Sequence, residues 1–270
     1  MRFLDKLLNK KPKIGLALSG GATLGAAHIG VLQVLEREGI RPDFVAGTSA
    51  GALIGGLYCA GFSLDELAQL MATMKWPTLI KLAITKPQAL FDIQPMDDVI
   101  KQKIGDINFE ELKIPFAAIA CDLRTGKRVV IDRGPLAIAI RASASIPGLF
   151  LPVEHNDRML VDGGLVDNLP VEQVRAMGAG FVIASDVSNR GETAEKPGNI
   201  FEIILTMFNI MQDRGALPDS EDCDCYIRPM VTQYPCWGFS DTEKILEEGK
   251  KAAELALPKL SRFVHHTLDK

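Results

Sequence analysis

"FVAGTSAGALIGG", residues 44–56, decides how this chain is read. Phe44–Gly47 is a short apolar run of strand character, and Ala50–Ala60 is a helix of small residues. Ser49 stands on the turn between them, inside Gly47-Thr48-Ser49-Ala50-Gly51, which fits G-x-S-x-G. A strand that turns sharply into a helix strains the residue at the corner, and only small neighbours let the backbone pass so closely. The hydroxyl then sits at the top of a sheet, above a helix N-terminus whose dipole favours negative charge. Ser49 is therefore either a nucleophile or a helix cap, and the pattern alone is too common to choose. Extended to Phe62, the stretch has no charge over 19 residues, close to the ~20 that span a bilayer. Its glycines, short leading apolar run and strand–turn–helix pattern argue against a span.

Bulk composition narrows the classes. The 270 residues, 47% hydrophobic and 24% charged, are ordinary globular material for one large or two small domains. A net charge of −4 carries no nucleic-acid signature. Five cysteines are an odd count for a disulfide framework, and "MRFLDKLLNKKPK" lacks the apolar core of a signal peptide. Both point to a reducing, cytoplasmic setting. "MRFLDKLLNKK" reads as a frayed solvated terminus, with a basic amphipathic helix making peripheral membrane contact as the alternative.

Along the chain, strands alternate with helices. Ile14–Leu18 is a buried strand, and Leu24–Glu38 has helical spacing that Gly39 stops. Ser63 and Glu66 form a capping box. Phe116–Cys121 and Lys127–Asp132 read as a hairpin turning at Arg124–Gly126, and Ala137–Ala142 as a helix. A helix over Val171–Met177 precedes the strand "FVIASDV" (Phe181–Val187). Asn199–Asp213 and Asp241–Leu257 are helices, whereas Ser188–Gly198 and Arg214–Asp222 read as loops. Thr73–Met96, with Pro77, Pro87 and Pro95, is irregular: a lid or a structural excursion. The alternation predicts an α/β sandwich around a mainly parallel sheet.

A nucleophile needs oxyanion donors and a base. Ser19-Gly20-Gly21-Ala22-Thr23-Leu24-Gly25 follows the first strand and opens a helix, so its N–H groups can face an anion. The competing dinucleotide reading fails on spacing, because Ala22 replaces the middle glycine, and Asp43 stands at the wrong end of its strand. None of the four histidines suits the base. His28 reads as a packed helix residue, His155 as exposed in a polar turn, and His265 and His266 lie in the charged tail. Asp162, between an apolar stretch and Gly163-Gly164, is better placed to take the serine proton, provided it is buried beside Ser49. The rival reading makes Asp162 a turn residue.

Taken in order, Ser19–Gly25 with "AAHIGVL", Gly47–Gly51, "RASASIPGLFLPV" (Arg141–Val153) and Asp162-Gly163-Gly164 resemble the patatin-like phospholipases over about residues 14–170. The resemblance implies a three-layer α/β/α fold over residues 13–270 as one hydrolase domain, after a basic segment at 1–12. It implies Ser49 as nucleophile, Asp162 as base, and an oxyanion hole of backbone amides at Gly20, Gly21 and Ala22. Gly25, Gly47, Gly51, Gly163 and Gly164 support these motifs. The implied substrates are phospholipids or other acyl-ester lipids, with no metal or other cofactor in the chemistry.

Two residues depart from the family's first block, which reads three glycines, one residue, a basic residue, then glycine. Here Ala22 takes the third glycine and Leu24 the basic position. Ala22 keeps its N–H and serves as a donor if its φ is negative. Losing one oxyanion donor costs about 3 kcal/mol of transition-state stabilisation. An acyltransferase with the same acyl-enzyme, or a weakly active lipid-binding relative, are thus alternatives to a hydrolase. Cys223-Asp224-Cys225 with Cys236 is a weak zinc pattern. Pro147 and Pro152 around "GLFL" point to a rigid loop, lining an acyl pocket or packing the core. Asp167 and Asn168 either orient the second half of the dyad loop or form a turn.

Overall fold

A computed structural model describes residues 12–188 and 197–266. The expected basic segment at 1–12 falls almost wholly outside the described residues, as does most of the Ser188–Gly198 loop.

The centre is an eight-stranded sheet. β1 (Ile14–Leu18) lies between β2 (Phe44–Thr48) and β9 (Phe181–Ser185), and β10 (Cys225–Ile227) extends the β9 side. β5 (Phe116–Asp122) joins β2, and all these pairings are parallel. β6 (Lys127–Ile131), β7 (Val153–His155) and β8 (Arg158–Asp162) add antiparallel pairings at the far side. A two-stranded hairpin, β3 (Lys81–Leu82) with β4 (Phe91–Asp92), stands apart.

Period-two alternation divides the sheet faces. Leu16, Leu18, Val45 and Ile183 point into the larger core, and Ala17, Ala46, Ala117 and Ala184 into a second cluster on the other face. Alanine on that second face lets α7 (Val171–Ala176) pack closely through Val171 and Val174. The larger face takes α1 (Ala26–Arg37), α2 (Ala50–Ala60), α3 (Leu64–Thr73), α4 (Trp76–Leu79), α5 (Pro95–Ile104) and α6 (Leu136–Ser143). The sheet is thus flanked by helices on both faces, as expected of an α/β sandwich.

Two long helices complete the fold: α8 (Ile200–Asp222) and α9 (Thr242–His266). α9 lies against α1 at close range, since a Cβ on Gly30 would strike the Leu246 carbonyl and one on Gly249 the Ala27 carbonyl. The loop expected at Arg214–Asp222 is instead the last turns of α8. Gly215 and Pro218 are local breaking signals, but the C-terminal end is tied down, with Arg175 Nη2 donating to the Asp222 carbonyl at 3.2 Å. The Ser63–Glu66 capping box is present, with reciprocal bonds of 3.2 and 2.9 Å. The segment Thr73–Met96 is not irregular throughout: it holds α4, the hairpin and the start of α5. Among the described residues no helix is long and apolar enough to cross a membrane.

Candidate active site

Sheet register brings Ser49 and Asp162 together. β2 runs parallel to β5 and ends with Thr48 opposite Ile119. β8 runs antiparallel to β5 and ends with Asp162 opposite Ala120. β6 occupies the other edge of β5 across Ala118–Asp122, so β2 and β8 meet end to end on one edge. Ser49, the residue after Thr48, and Asp162 therefore arrive at the same break in the sheet.

Ser49 has φ 52° and ψ −115°, a conformation costing a non-glycine residue about 1–3 kcal/mol. The surroundings hold it there. Its N–H donates to Ser143 Oγ at 2.9 Å, and Ser143 Oγ donates to the Ile119 carbonyl at 2.5 Å. Thr48 Oγ1 donates to the Asp167 carbonyl at 2.8 Å. A Cβ on Gly47 would strike the Gly51 carbonyl, and one on Gly51 the Leu18 carbonyl, so neither position accepts a side chain. The Ser49 hydroxyl makes no capping bond to α2, which removes the helix-cap reading.

Asp162 is fully buried. Its N–H donates to the Ser145 carbonyl at 2.9 Å, and its Oδ1 accepts the Gly164 N–H at 2.8 Å. Oδ2 has no hydrogen bond of good geometry, while the Ser49 hydroxyl lies near enough to the carboxylate to favour its ionised form. Burial pushes the carboxyl up to about 7, against the pull of the Gly164 N–H and the Ser49 hydroxyl. A carboxylate so placed is a far stronger base than an exposed one. A Cβ on Gly163 would meet the Ile119 carbonyl, and one on Gly164 the Gln212 side chain.

The glycine loop lies across from this pair. The Gly20 N–H is shared between the backbone and side-chain oxygens of Asn168, each at 3.2 Å, so it is not free for a ligand. The N–H groups of Gly21 and Ala22 donate to no other described group. The condition set for Ala22 as a donor, a negative φ, is not met: φ is 51°. The chain reverses here into a 3-10 turn over Ala22–Gly25, with the Thr23 N–H donating to the Cys236 carbonyl at 3.1 Å. Alanine thus occupies a backbone position that glycine takes more readily. Leu24 is buried in the core, so the loop carries an apolar side chain where the resembled family has a cation. Gly25 meets α2 so tightly that a Cβ would come within 2.6 Å of Ala50 Cβ.

His28 supports this loop from below. Its ring nitrogens lie 2.9 Å from the Ser19 carbonyl and 2.8 Å from Ser185 Oγ. Burial, partly opposed by the Ser19 carbonyl and Asp186, lowers its pKa to about 4, leaving a neutral structural imidazole near pH 7. His155 is half-buried on β7, and the side chains of His265 and His266 lie outside the described residues.

An apolar cavity of about 80 Å³ opens at Ser49. Met74, Trp76 and Ile80 form one wall, so the two ends of Thr73–Met96 line the pocket, whereas residues 81–92 between them do not. Ile146 and Phe150, from the "GLFL" region, line another. Trp76 stacks on Trp237 at 5.1 Å between centroids and donates from Nε1 to the Trp237 carbonyl at 2.9 Å. The apolar lining suits an acyl chain better than a polar ligand. Among the described residues no cluster of three His, Cys, Asp or Glu is placed to hold a metal ion.

Sequence reading missed Ser143 as the anchor of the Ser49 amide, and Gln212, whose buried amide lies against Gly20 and Gly164. Ser143 stands in the quoted "RASAS" block, but nothing there tells which backbone group it holds. Gln212 had no signal, being one polar residue in a helix.

Comparison with known proteins agrees with this geometry. The Patatin-like phospholipase family model matches residues 16–175. An uncharacterized NTE family protein of Mycobacterium tuberculosis is 38% identical over 188 residues, 69% of this chain and 51% of the relative. The lysophospholipase NTE1 of Saccharomyces cerevisiae is 30% identical over 269 residues, 87% of this chain and 16% of the relative. This chain therefore spans about half or less of the length of these curated relatives. VipD of Legionella pneumophila superposes with a TM-score of 0.59 at 12% identity, covering 92% of this chain and 67% of that one, a likeness of fold. Because the matched segment takes in the glycine loop, the serine corner and Asp162 in the order the sheet joins them, the chain belongs to the patatin-like phospholipase family.

Proposed function

We propose that this chain is a serine acyl hydrolase for lipid esters, with Ser49 as nucleophile and Asp162 as base. Ser49 Oγ attacks the ester carbonyl carbon while its proton passes to Asp162 Oδ2. The oxyanion is held by the Gly21 amide and by the Ala22 amide, which donates to no described group despite its positive φ, and Gly20 shapes the loop by binding Asn168. The alcohol leaves with the proton from Asp162. Water then loses a proton to Asp162, attacks the acyl-enzyme and releases the fatty acid, and the proton returns to Ser49.

The observation that carries this reading is the strained Ser49 beside the buried Asp162, with Ser49 lining an apolar cavity. The name of the yeast relative, a lysophospholipase, makes a single-chain phospholipid the first substrate to try. We take residues 13–270 as one unit, a reading supported by β9 and β10, beyond the matched segment, sharing the sheet with β1 and β2. A cytoplasmic enzyme working at a lipid surface fits this chemistry.

The test is intact-protein mass after a fluorophosphonate, beside a Ser49→Ala control, followed by fatty-acid release from lysophosphatidylcholine. A single adduct and release on wild type, both absent in Ser49→Ala, is the expected result. Equal turnover by the folded variant would overturn it.

A further inference from the structure

Two apolar surfaces flank one wall of the cavity. The β3–β4 hairpin exposes Leu82 (65%), on β3, and Ile84 (87%), in its loop. On α8, Ile200, Ile203, Met207 and Ile210 recur at i, i+3, i+7 and i+10, all exposed, with Met207 at 59%. The two surfaces adjoin at Gly148. The Leu90 N–H of the hairpin donates to the Gly148 carbonyl at 3.3 Å, and Ile204 of α8 reaches within 3.7 Å of the Cβ position at Gly148. Residues on either side of Gly148, Ile146 and Phe150, line the cavity. Exposed apolar groups so grouped mark an interaction surface rather than scattered surface residues.

Charge selects the occupant. The hairpin reads Lys-Leu-Ala-Ile-Thr-Lys over residues 81–86. Lys81 and Lys86 are both well exposed and share one carboxylate, Asp92 Oδ2, at 3.7 and 3.9 Å. The hairpin is therefore cationic around an apolar tip. Between Ile200 and Met211 the only charged residue is Glu202, whose carboxylate accepts the Gly198 N–H at 2.6 Å at the start of the helix. A lysine stem lying along apolar surface with its ammonium at a phosphate is the pattern of a protein seated on anionic lipid. A second copy of the chain facing this surface would set lysine against lysine.

We propose that the β3–β4 hairpin and the outer face of α8 dock on a bilayer carrying anionic headgroups, with the cavity mouth beside the lipid. The proposal rests on the lipid-ester reading for its purpose, but its test does not depend on turnover.

Co-flotation of the full chain with vesicles of phosphatidylcholine, with and without phosphatidylglycerol, measures the docking. Ser49→Ala should bind as wild type does. Leu82→Asp/Ile84→Asp and Ile203→Asp/Met207→Asp should each lower vesicle partition about tenfold or more. Lys81→Glu/Lys86→Glu should lose the preference for phosphatidylglycerol. All three double variants should keep wild-type melting temperatures and wild-type cleavage of a soluble p-nitrophenyl ester. If no ester is cleaved but docking follows this pattern, the surface stands and the hydrolase reading falls. Wild type that does not float, or aspartate variants that float equally well, would overturn the docking surface. So would a wild-type dimer that the aspartate variants split into monomers, since the face would then belong to a second copy.

Discussion

The Ser49 N–H donates to Ser143 Oγ at 2.9 Å across 94 positions of sequence. Ser143 in turn donates to the Ile119 carbonyl at 2.5 Å, so one buried hydroxyl joins the serine corner to β5. Ser143→Ala would leave a buried donor and a buried acceptor without partners, at a cost of about 1–3 kcal/mol. Because the corner is strained, the loss should appear in turnover as well as in stability. We expect kcat on a soluble ester to fall about tenfold with KM little changed, and the denaturant midpoint to drop. Ser143→Thr, which keeps the hydroxyl, should recover part of both. Unchanged kcat in folded Ser143→Ala would show that the corner holds without this bond.

Ala22 has φ 51° in the proposed oxyanion loop, where glycine is at ease and alanine is not. Ala22→Gly relieves that strain, offset by greater freedom in the unfolded chain, for a net gain below about 1 kcal/mol. Turnover should hold or rise. Ala22→Val places a β-branched residue in the same conformation and should lower kcat at least tenfold, with a lower melting temperature. Equal kinetics in both variants would mean that the Ala22 amide does not serve the reaction.

Burial raises the Asp162 carboxyl to about 7, so the base is largely protonated in mild acid. kcat/KM for a neutral soluble ester should therefore rise with pH to a plateau, with a midpoint near 7. Stability runs the other way for this group. Between its usual 3.8 and about 7 the folded chain holds a proton that the unfolded chain has released, so stability falls as pH rises. His28 has the opposite sign: between 6.5 and about 4 the unfolded chain binds a proton that the folded chain excludes, so stability falls as pH drops. The two slopes oppose each other in wild type. Asp162→Asn should be inactive, at least as stable as wild type at pH 8, and more acid-sensitive between 6.5 and 4. Melting temperatures across pH check this, and an Asp162→Asn curve parallel to wild type would refute it.

The α/β sandwich and the sharp corner at Ser49 were legible because local rules impose them. Alternating strands and helices announce the sheet, and the small residues around Ser49 announce a sharp corner. What escaped depends on contacts between distant segments. Gly20 looked like a free donor, yet its N–H goes to Asn168, 148 positions away. Gln212 carried no motif, yet its amide packs on Gly164. Arg214–Asp222 read as a loop, but α8 runs on to Asp222. The sign of φ at Ala22 follows from how the loop is pinned to Cys236, which the residue type does not encode.

Trp76 lines the cavity although it belongs to none of the motifs. Its ring stacks on Trp237, lies 5.4 Å from Phe239 and 6.4 Å from Phe150, centroid to centroid, and its Nε1 donates to the Trp237 carbonyl. Trp76→Ala removes this wall without touching Ser49 or Asp162. A long acyl chain then loses contact over about two methylene groups, at about 0.8 kcal/mol each, roughly a tenfold loss in kcat/KM. An acetyl or butyryl ester offers that wall little chain to contact and should react as before. The decisive readout is the ratio of kcat/KM for a long-chain to a short-chain p-nitrophenyl ester. A fall in that ratio with short-chain activity retained would identify the cavity as the acyl site. Equal losses on both esters would mean that Trp76 holds the fold of the 73–96 segment and does not measure chain length.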